Sequence, residues 1–176
     1  MRWTLLLVAC HAAAPATTPS PACAAPELHQ LDFWVGDWDV TVHARSSPTS
    51  DAWGTAPGRQ HVEAILGGCA IAETFAAAGP GPAWAGRSYA SYQNGKWKQT
   101  WVDDQGGYLL FTGGSEAGAP MVLYGEPREQ NGKTVQMRMV FHDVTATSLV
   151  WEWQRSDDAW ATNVVMMKID YKRAGS

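Results

Sequence analysis

The stretch from Leu31 to Val42, which reads L-D-F-W-V-G-D-W-D-V-T-V, decides the fold of this chain. A short apolar segment runs into Gly36, and an alternating strand led by Trp38 follows it. Because successive side chains of a strand point to opposite faces, Trp38, Val40 and Val42 share one face, and the other face is polar. This pattern is typical of the first strand of a small up-and-down β-barrel, with the tryptophan closing one end.

Beyond this strand, short strand-like segments are separated by turn residues, and no long helical period appears. Asn94-Gly95 and Asn131-Gly132 are dipeptides that favour two-residue hairpin turns, whereas Ser46–Arg59 indicates a flexible connection. The predicted strands are Asp37–Ala44, His61–Leu66, Cys69–Phe75, Gly86–Tyr92, Lys96–Val102, Tyr108–Thr112, Met121–Gly125, Thr134–Phe141, Ser148–Arg155 and Trp160–Tyr171. We therefore predict an all-β fold, a single antiparallel up-and-down β-barrel of about ten strands with a short N-terminal helical plug within Pro26–Trp34.

The N-terminal residues have the features of an export signal. Arg2 precedes an apolar run, and Ala22-Cys23-Ala24 forms a small-residue cleavage site. We predict that residues 1–24 are a signal peptide, that 25–176 form the barrel domain, and that the protein is exported to the periplasm or the cell exterior. Alternatively, Leu7-Val8-Ala9-Cys10 resembles a lipoprotein box, which would anchor the protein through Cys10. The apolar run is too short for a stable membrane span.

Removal of residues 1–24 would leave one cysteine in the chain. Cys10 and Cys23 both precede that cleavage point, so Cys69 would remain alone. A single cysteine cannot form an internal disulfide even in an oxidising compartment. The sequence therefore predicts that Cys69 is a small buried apolar residue.

Several classes of function lack the residues that they need. The net charge is −4 and there is no basic run, which argues against a nucleic-acid partner. The histidines His29, His43, His61 and His142 are scattered without metal-ligand spacing, so we expect no metal site and no cofactor. There is no G-x-S-x-G motif, and no catalytic residues are assigned.

Alternation places a mainly aromatic set of side chains inside the barrel. Lys96 and Lys98 must face solvent, so Gln99 and Trp101 face inward, and Glu73 shares a face with apolar neighbours. A mostly apolar cavity with a few placed polar groups is typical of a small-molecule site. The residues predicted to bind a small apolar ligand are Trp38, Glu73, Arg87, Tyr89, Gln99, Trp101, Met137 and Trp151.

Two points stay open in this prediction. Alternation does not decide whether Arg87 and Tyr89 or their neighbours, such as Ser88, face inward on Gly86–Tyr92. If Arg87 faces inward, it is the expected partner of Glu73, because a buried carboxylate needs a partner or a proton. A filled interior, in which this pair is only structural, fits the sequence as well as an open cavity does.

Five motifs carry a family resemblance: L-D-F-W-V-G-D-W-D-V, L-G-G-C-A-I-A-E, G-K-W-K-Q-T-W-V-D, M-V-L-Y-G-E, and W-E-W-Q-R-S-D with a later I-D-Y-K-R. Over Leu28 to Arg173, the chain resembles a family of uncharacterised exported bacterial proteins with lipocalin-like, calycin-type barrels. Gly36-Asp37-Trp38 is also similar to the G-x-W motif of lipocalins. The resemblance implies a barrel fold and an exported setting, and no catalytic residues carry over from it.

Three functions are compatible with these observations. The first is an exported lipocalin-like barrel that binds a small apolar ligand in an aromatic-lined cavity. The second is a barrel enzyme of the isomerase or hydratase type, with Glu73 as general acid/base, because an apolar pocket raises the pKa of a carboxyl group toward neutrality. The third is a haem-binding barrel, which would need an inward histidine.

Overall fold

A computed structural model describes residues 23–78, 83–115 and 119–175. Two 3₁₀ turns, Pro26–His29 and Asp32–Trp34, come first, and a third, Leu66–Gly68, joins two strands. The strands are β1 (Gly36–Ala44), β2 (Gly54–Ile65), β3 (Ala70–Ala77), β4 (Trp84–Gln93), β5 (Lys96–Asp103), β6 (Tyr108–Gly114), β7 (Met121–Gly125), β8 (Arg128–Gln130), β9 (Lys133–His142), β10 (Ser148–Ser156) and β11 (Val164–Arg173). No helix in the described part of the chain is long and apolar enough to cross a membrane.

The strands form one closed antiparallel barrel. Sequential neighbours pair from β1 to β7, β7 pairs with β9, and β11 pairs with β1. Pairing of β10 with both β9 and β11 closes the barrel, while β8 pairs only with β9 and lies outside the ring. The prediction of an all-β barrel of about ten strands is therefore confirmed. Closure pairs the edges that an open sheet would expose.

Local turn chemistry sets two of the hairpins. Asn94 and Gly95 have φ angles of 54° and 78°, and Asn131 and Gly132 have φ angles of 52° and 73°. Positive φ at both central residues is what a type I′ turn needs, and Asn and Gly adopt it at the lowest cost. Both turns lie where the sequence predicts them, between β4 and β5 and between β8 and β9.

The strand pattern differs from the prediction most clearly in three places. Strand β2 begins at Gly54, so Gly54–Arg59 is not a flexible connection but pairs with β1, with Ala44 opposite Gly54. Strand β11 begins at Val164, because Ala159 and Trp160 have positive φ and belong to a turn. Strand β8 was not predicted. In β2 the long pairing edge offered by β1 overrides the low strand propensity of glycine and proline.

The two early 3₁₀ turns plug one end of the barrel. Trp34 and Trp38 are both buried, and the Trp38 indole donates a hydrogen bond to the backbone oxygen of Trp34 over 2.8 Å. The Gln30 side chain extends the plug to β5, where its Oε1 accepts a hydrogen bond from Trp97 Nε1 at 3.1 Å. The predicted burial of Trp38 under the N-terminal segment is confirmed.

A disulfide joins Cys23, just before the plug, to Cys69, just before β3. The two Cα atoms lie 5.0 Å apart, and the bond closes a sequence separation of 46 residues. The prediction that Cys69 is unpaired is therefore wrong. Cleavage after Ala24 would remove Cys23, so that cleavage and this disulfide exclude one another in the same molecule. The part of the predicted signal before residue 23 lies outside the described residues.

Candidate ligand-binding site

The barrel interior contains a cavity with a volume of about 170 Å³. Trp34 of the plug belongs to its wall at one end, and Trp84 and Asp103 lie at the strand ends of the opposite side. The wall is therefore built from the plug and from most strands of the barrel. The lining residues are Trp34, Gln60, Glu73, Phe75, Trp84, Gln99, Trp101, Asp103, Leu109, Phe111, Met139, Trp151, Trp153, Met167, Ile169 and Tyr171.

Aromatic rings make up much of the cavity wall. Phe75, Trp84 and Trp101 form one cluster, in which the ring centroids lie between 5.0 and 6.1 Å apart. Trp151 and Trp153 have nearly parallel rings, with an interplanar angle of 4° and centroids 6.2 Å apart. Such rings offer large, rigid apolar faces and edges against which a flat molecule packs well.

Gly86 leaves the space that the Trp101 ring occupies. A Cβ atom at this position would approach the Trp101 ring to 2.1 Å, a distance that no real contact allows. Gly86 is buried and lies on the same face of β4 as Ser88, which pairs directly with Trp101. The absence of a side chain at residue 86 thus fixes the position of one aromatic wall of the cavity.

Glu73 is a buried carboxyl group in the cavity wall. It is 7% exposed, and its Oε2 accepts hydrogen bonds from Ser88 Oγ and, at 3.3 Å, from Gln99 Nε2. Gln99 Nε2 also lies 2.8 Å from Ser88 Oγ. Burial raises the pKa of Glu73 from its usual 4.5 to about 7, although the Ser88 hydrogen bond acts in the opposite direction. Near neutral pH, Glu73 therefore holds and releases its proton readily.

A second polar pair, Gln60 and Tyr171, lines the same cavity. The Tyr171 hydroxyl donates to Gln60 Oε1 over 2.7 Å, and both residues are buried. Burial, and secondarily the charge of Glu73, raises the pKa of Tyr171 well above its usual value, so the phenol stays protonated. Neither residue is among the predicted binding residues, because Gln60 comes immediately after the segment predicted to be flexible and Tyr171 ends the last predicted strand.

Two glutamine side chains of the cavity wall each have one buried polar atom without a protein partner among the described residues. They are the donor Gln60 Nε2 and the acceptor Gln99 Oε1, whereas the Trp34 indole hydrogen-bonds to the Tyr171 hydroxyl. Buried polar groups of folded proteins are nearly always hydrogen-bonded, to protein or to water. The lining of the cavity is thus not purely apolar, because polar side chains interrupt it.

Asp103 supplies a fixed negative charge at the other side of the cavity. Its Oδ2 accepts a hydrogen bond from Trp101 Nε1 at 2.9 Å, and its Oδ1 accepts from the backbone N–H groups of Gln105 and Gly107 at 3.0 and 2.7 Å. These hydrogen bonds, that of Trp101 first, lower the pKa of Asp103. The residue therefore shapes the turn before β6 and also positions the Trp101 ring.

Four of the predicted binding residues lie in the cavity wall, namely Glu73, Gln99, Trp101 and Trp151. Trp38 is buried beside the plug but does not line the cavity, and Met137 is half-buried outside the lining. The role of all these residues in binding stays a prediction, because no ligand contact is described.

Arg87 and Tyr89 lie on the outer face of the barrel, which settles the face that the sequence left open on β4 and removes both from the predicted binding residues. Glu73 pairs in register with Ser88, so Ser88 shares the interior and its two neighbours point outward. Both are exposed, Tyr89 by 54%. The condition for a contact between Arg87 and Glu73, an inward Arg87, is therefore not met, and Glu73 has Ser88 and Gln99 as its partners instead. The small side chains of β4 face inward because the bulky Trp101 occupies the space beside them.

The charges of the cavity wall are all acidic. Glu73 and Asp103 line it, and no Lys, Arg or His occurs among its described lining residues. An inward histidine, which a haem-binding barrel would need, is thus not part of this wall. Over the described ranges, no group of three His, Cys, Asp or Glu residues is placed to hold a metal ion.

The chain matches a protein family and is similar to solved structures. Residues 24–173 match a family described as "Protein of unknown function (DUF1579)". No curated protein matches the chain. Among solved structures, the chain is similar to one described as "Structure of EF1p2_mFAP2b bound to DFHBI", with 11% identity and a TM-score of 0.44, over 84% of this chain and 98% of that chain.

Proposed function

This chain belongs to the DUF1579 family of proteins of unknown function, and we propose that it is a lipocalin-like protein. In this proposal, it binds one small, flat, mainly apolar molecule inside the barrel. One observation carries this proposal. The cavity of about 170 Å³ is walled by aromatic rings and has a few polar residues in its wall, among them Gln60, Glu73 and Gln99. A mostly apolar cavity with a few convergent polar groups is the usual form of a small-molecule site.

The cavity volume limits the size of the ligand. A dry apolar cavity of about 150 Å³ admits benzene, whereas sites for drug-sized ligands measure roughly 300–1,000 Å³. At about 170 Å³, the interior accommodates a single substituted ring. Long-chain fatty acids, retinoids and haem are too large for it, so the proposed ligand is smaller than those that the barrel size alone would suggest.

Indole N–H resonances test this proposal. Addition of acetophenone should shift the ¹H–¹⁵N signals of the cavity residues Trp84, Trp101 and Trp151. The signal of Trp53, which is 39% exposed and does not line the cavity, serves as the internal control. Equal shifts of all indole signals, or none, would argue against an internal site.

Two leucine variants add a matched test of location. Leu109 lines the cavity, and its neighbour Leu110 is 41% exposed on the outer face. Leu109→Phe should fill part of the cavity and weaken acetophenone binding, while Leu110→Phe should leave it unchanged. Equal binding by both variants would place the bound probe outside the barrel.

The proposed setting is an exported, oxidising one, in the periplasm or at the cell surface. The apolar N-terminal run and the Cys23–Cys69 disulfide support it, because disulfides persist mainly in oxidising compartments. Retention of Cys23 favours processing upstream of it, as in the alternative that anchors the protein through Cys10. The intact mass of the protein from its own host distinguishes an N-terminus at Cys10, with its lipid, from one at Ala25.

Proton-transfer catalysis is a second candidate function. Its support is the placement of Glu73, with a pKa of about 7, in the same cavity as the protonated Tyr171. A carboxylate with a near-neutral pKa is a competent general base at physiological pH. The test is incorporation of deuterium from D₂O into the methyl group of acetophenone, in which Glu73 removes a proton and a solvent deuteron replaces it. Equal incorporation with the wild type and Glu73→Gln would eliminate this candidate.

A further inference from the structure

We infer that the ligand is a cation, an aryl-alkyl ammonium compound whose ring lies inside the cavity and whose positive charge stays at the cavity mouth beside Asp103. This inference rests on the proposed function and specifies the chemical class of its ligand. Three observations carry it. They are the position of the mouth, the charge of Asp103, and the aromatic rings that surround this carboxylate.

The cavity opens at the end of the barrel opposite the plug. Beside the plug its lining residues are buried, as Trp34 and Tyr171 are. Strand β5 gives the direction, because Trp97 near its start bonds to Gln30 of the plug, whereas Asp103 is its last residue. The half-buried lining residues at this far end are Trp84, Trp101, Asp103, Leu109, Trp153 and Met167. A ligand therefore enters between them, and the part that enters last stays near water.

Asp103 is the charged residue of this mouth. Its hydrogen bonds, that of the Trp101 indole first, lower the pKa of its carboxyl group and keep it ionised at neutral pH. Within the described part of the chain it forms no ion pair. Arg87 adjoins Gly86, the pairing partner of Asp103, but its side chain is exposed on the outer face. The mouth thus has a fixed negative charge that no cation of the cavity wall balances.

This charge discriminates between ligands. An ammonium group beside Asp103 is attracted to the carboxylate and stays partly hydrated, so it avoids the desolvation cost of a fully buried ion. An anion would meet Asp103 and its exposed neighbour Asp104, with no basic residue among the described lining residues to attract it. A neutral polar group gains much less from the carboxylate than a cation does. The mouth therefore favours a positive charge on the ligand.

The aromatic cluster behind Asp103 determines where the ring of such a ligand lies. Trp101 Nε1 donates to Asp103 Oδ2 at 2.9 Å, and the Trp84 indole also hydrogen-bonds to this carboxylate. Phe75 is 2% exposed, and its ring centroid lies 5.0 Å from that of Trp84 and 6.1 Å from that of Trp101. The apolar wall thus begins directly at the carboxylate. A short alkyl linker is enough to connect an ammonium group at Asp103 to a ring packed against this cluster.

Three phenyl compounds of similar size test the inference: phenethylammonium, phenethyl alcohol and phenylacetate. Binding to the full chain at neutral pH and low salt is measured by the shifts of the cavity indole resonances. Phenethylammonium should bind at least about fivefold more tightly than phenethyl alcohol, and phenylacetate should bind weakest, because of the Coulomb interaction with Asp103. The preference for the cation should shrink in about 1 M NaCl, where the Debye length falls to about 3 Å.

Acetophenone separates the failure of this inference from the failure of the proposed function. If acetophenone binds in the cavity but phenethylammonium binds no better than phenethyl alcohol, the site remains and the inferred ligand class is wrong. If none of the four compounds binds, the proposed function fails as well.

Charge-neutralising variants identify the responsible group. Asp103→Asn removes the charge but keeps an oxygen acceptor for Trp101, and it should reduce the preference for phenethylammonium over phenethyl alcohol to about one. Asp143→Asn, in the exposed turn after β9 at the plugged end, is the matched control and should keep the preference. If Asp103→Asn fails to fold, the salt dependence of the wild type supplies the second measurement. A preference that persists in Asp103→Asn, or that salt does not reduce in the wild type, overturns the inference.

Discussion

The Arg173 guanidinium lies over the indole ring of Trp38, 3.8 Å from its centroid, and so joins the last strand of the barrel to the first. The same guanidinium donates to the backbone oxygens of Phe33 and Val35, which ties the plug to this contact. Gly36 provides the space, because a Cβ atom there would collide with Arg173. The Gly-x-Trp motif of β1 is thus explained by the arginine that it accommodates.

Replacement of Trp38 by alanine should destabilise the barrel strongly. The ring is 1% exposed and packs against Arg173 and Tyr171, so its loss leaves a large cavity. The free energy of unfolding in urea should fall by about 3–5 kcal/mol, the usual cost for a buried large aromatic residue. Trp53→Ala, at an exposed position, is the control and should cost less than about 1 kcal/mol. A similarly small loss for Trp38→Ala would contradict the assigned role of the ring.

Glu73 should make the protein less stable as the pH rises from about 4.5 to about 7. The native state holds the proton over this range and the unfolded state does not, so unfolding releases a proton and becomes easier at higher pH. Stability is highest below the unfolded pKa, and the loss from this group amounts to roughly 3 kcal/mol by pH 8. Urea denaturation at several pH values measures it.

The variant Glu73→Gln should abolish this pH dependence. It should also be more stable than the wild type above pH 7, because a neutral amide avoids the cost of burying an ionised carboxylate. Glu63→Gln is the matched control, since Glu63 is exposed on the outer face of β2. Identical pH profiles for the wild type and Glu73→Gln would show that folding does not raise the pKa of Glu73.

Loss of the Cys23–Cys69 disulfide should lower stability. The bond closes a separation of 46 residues, and removing such a cross-link typically costs about 2–4 kcal/mol through the greater freedom of the unfolded chain. Cys69→Ala should therefore unfold at lower urea concentration than the oxidised wild type, but at a concentration similar to that for the reduced wild type. Intact mass before and after reduction establishes the redox state, and a wild type with two free thiols in non-reducing buffer would refute the pairing.

Gly86→Ala should disturb the aromatic wall of the cavity. The new methyl group would meet the Trp101 ring, so the ring must move, and overpacking of this kind costs about 1–3 kcal/mol. The Trp101 indole resonance should shift and acetophenone binding should weaken. Gly54→Ala is the control, because a Cβ atom there makes only an ordinary contact of 3.7 Å with Ala44. Unchanged stability and binding for Gly86→Ala would mean that Trp101 has room to move freely.

The inward faces of several strands could be predicted from the sequence because charged residues identify the opposite face as the one exposed to solvent. Lys96 and Lys98 face solvent, so Gln99 and Trp101 face the cavity, as predicted. On β4 both faces have similar polarity, and the sequence could not assign them. On β4, the large Trp101 ring of the neighbouring strand determines which face points inward, because only Gly86 and other small residues fit beside that ring.

Local sequence alone determined the strands with alternating faces, the Asn-Gly hairpins and the Trp-led first strand, since these depend on residues that are neighbours in the chain. Tertiary structure alone decided the polar side of the cavity and the disulfide. Tyr171 meets Gln60 across 111 residues, and Cys23 meets Cys69 across 46. Both contacts form only when the barrel closes, because the pairing of strands then brings together residues that are far apart in the sequence. The same closure brings Trp34, Gln60 and Gln99 to the wall of one cavity.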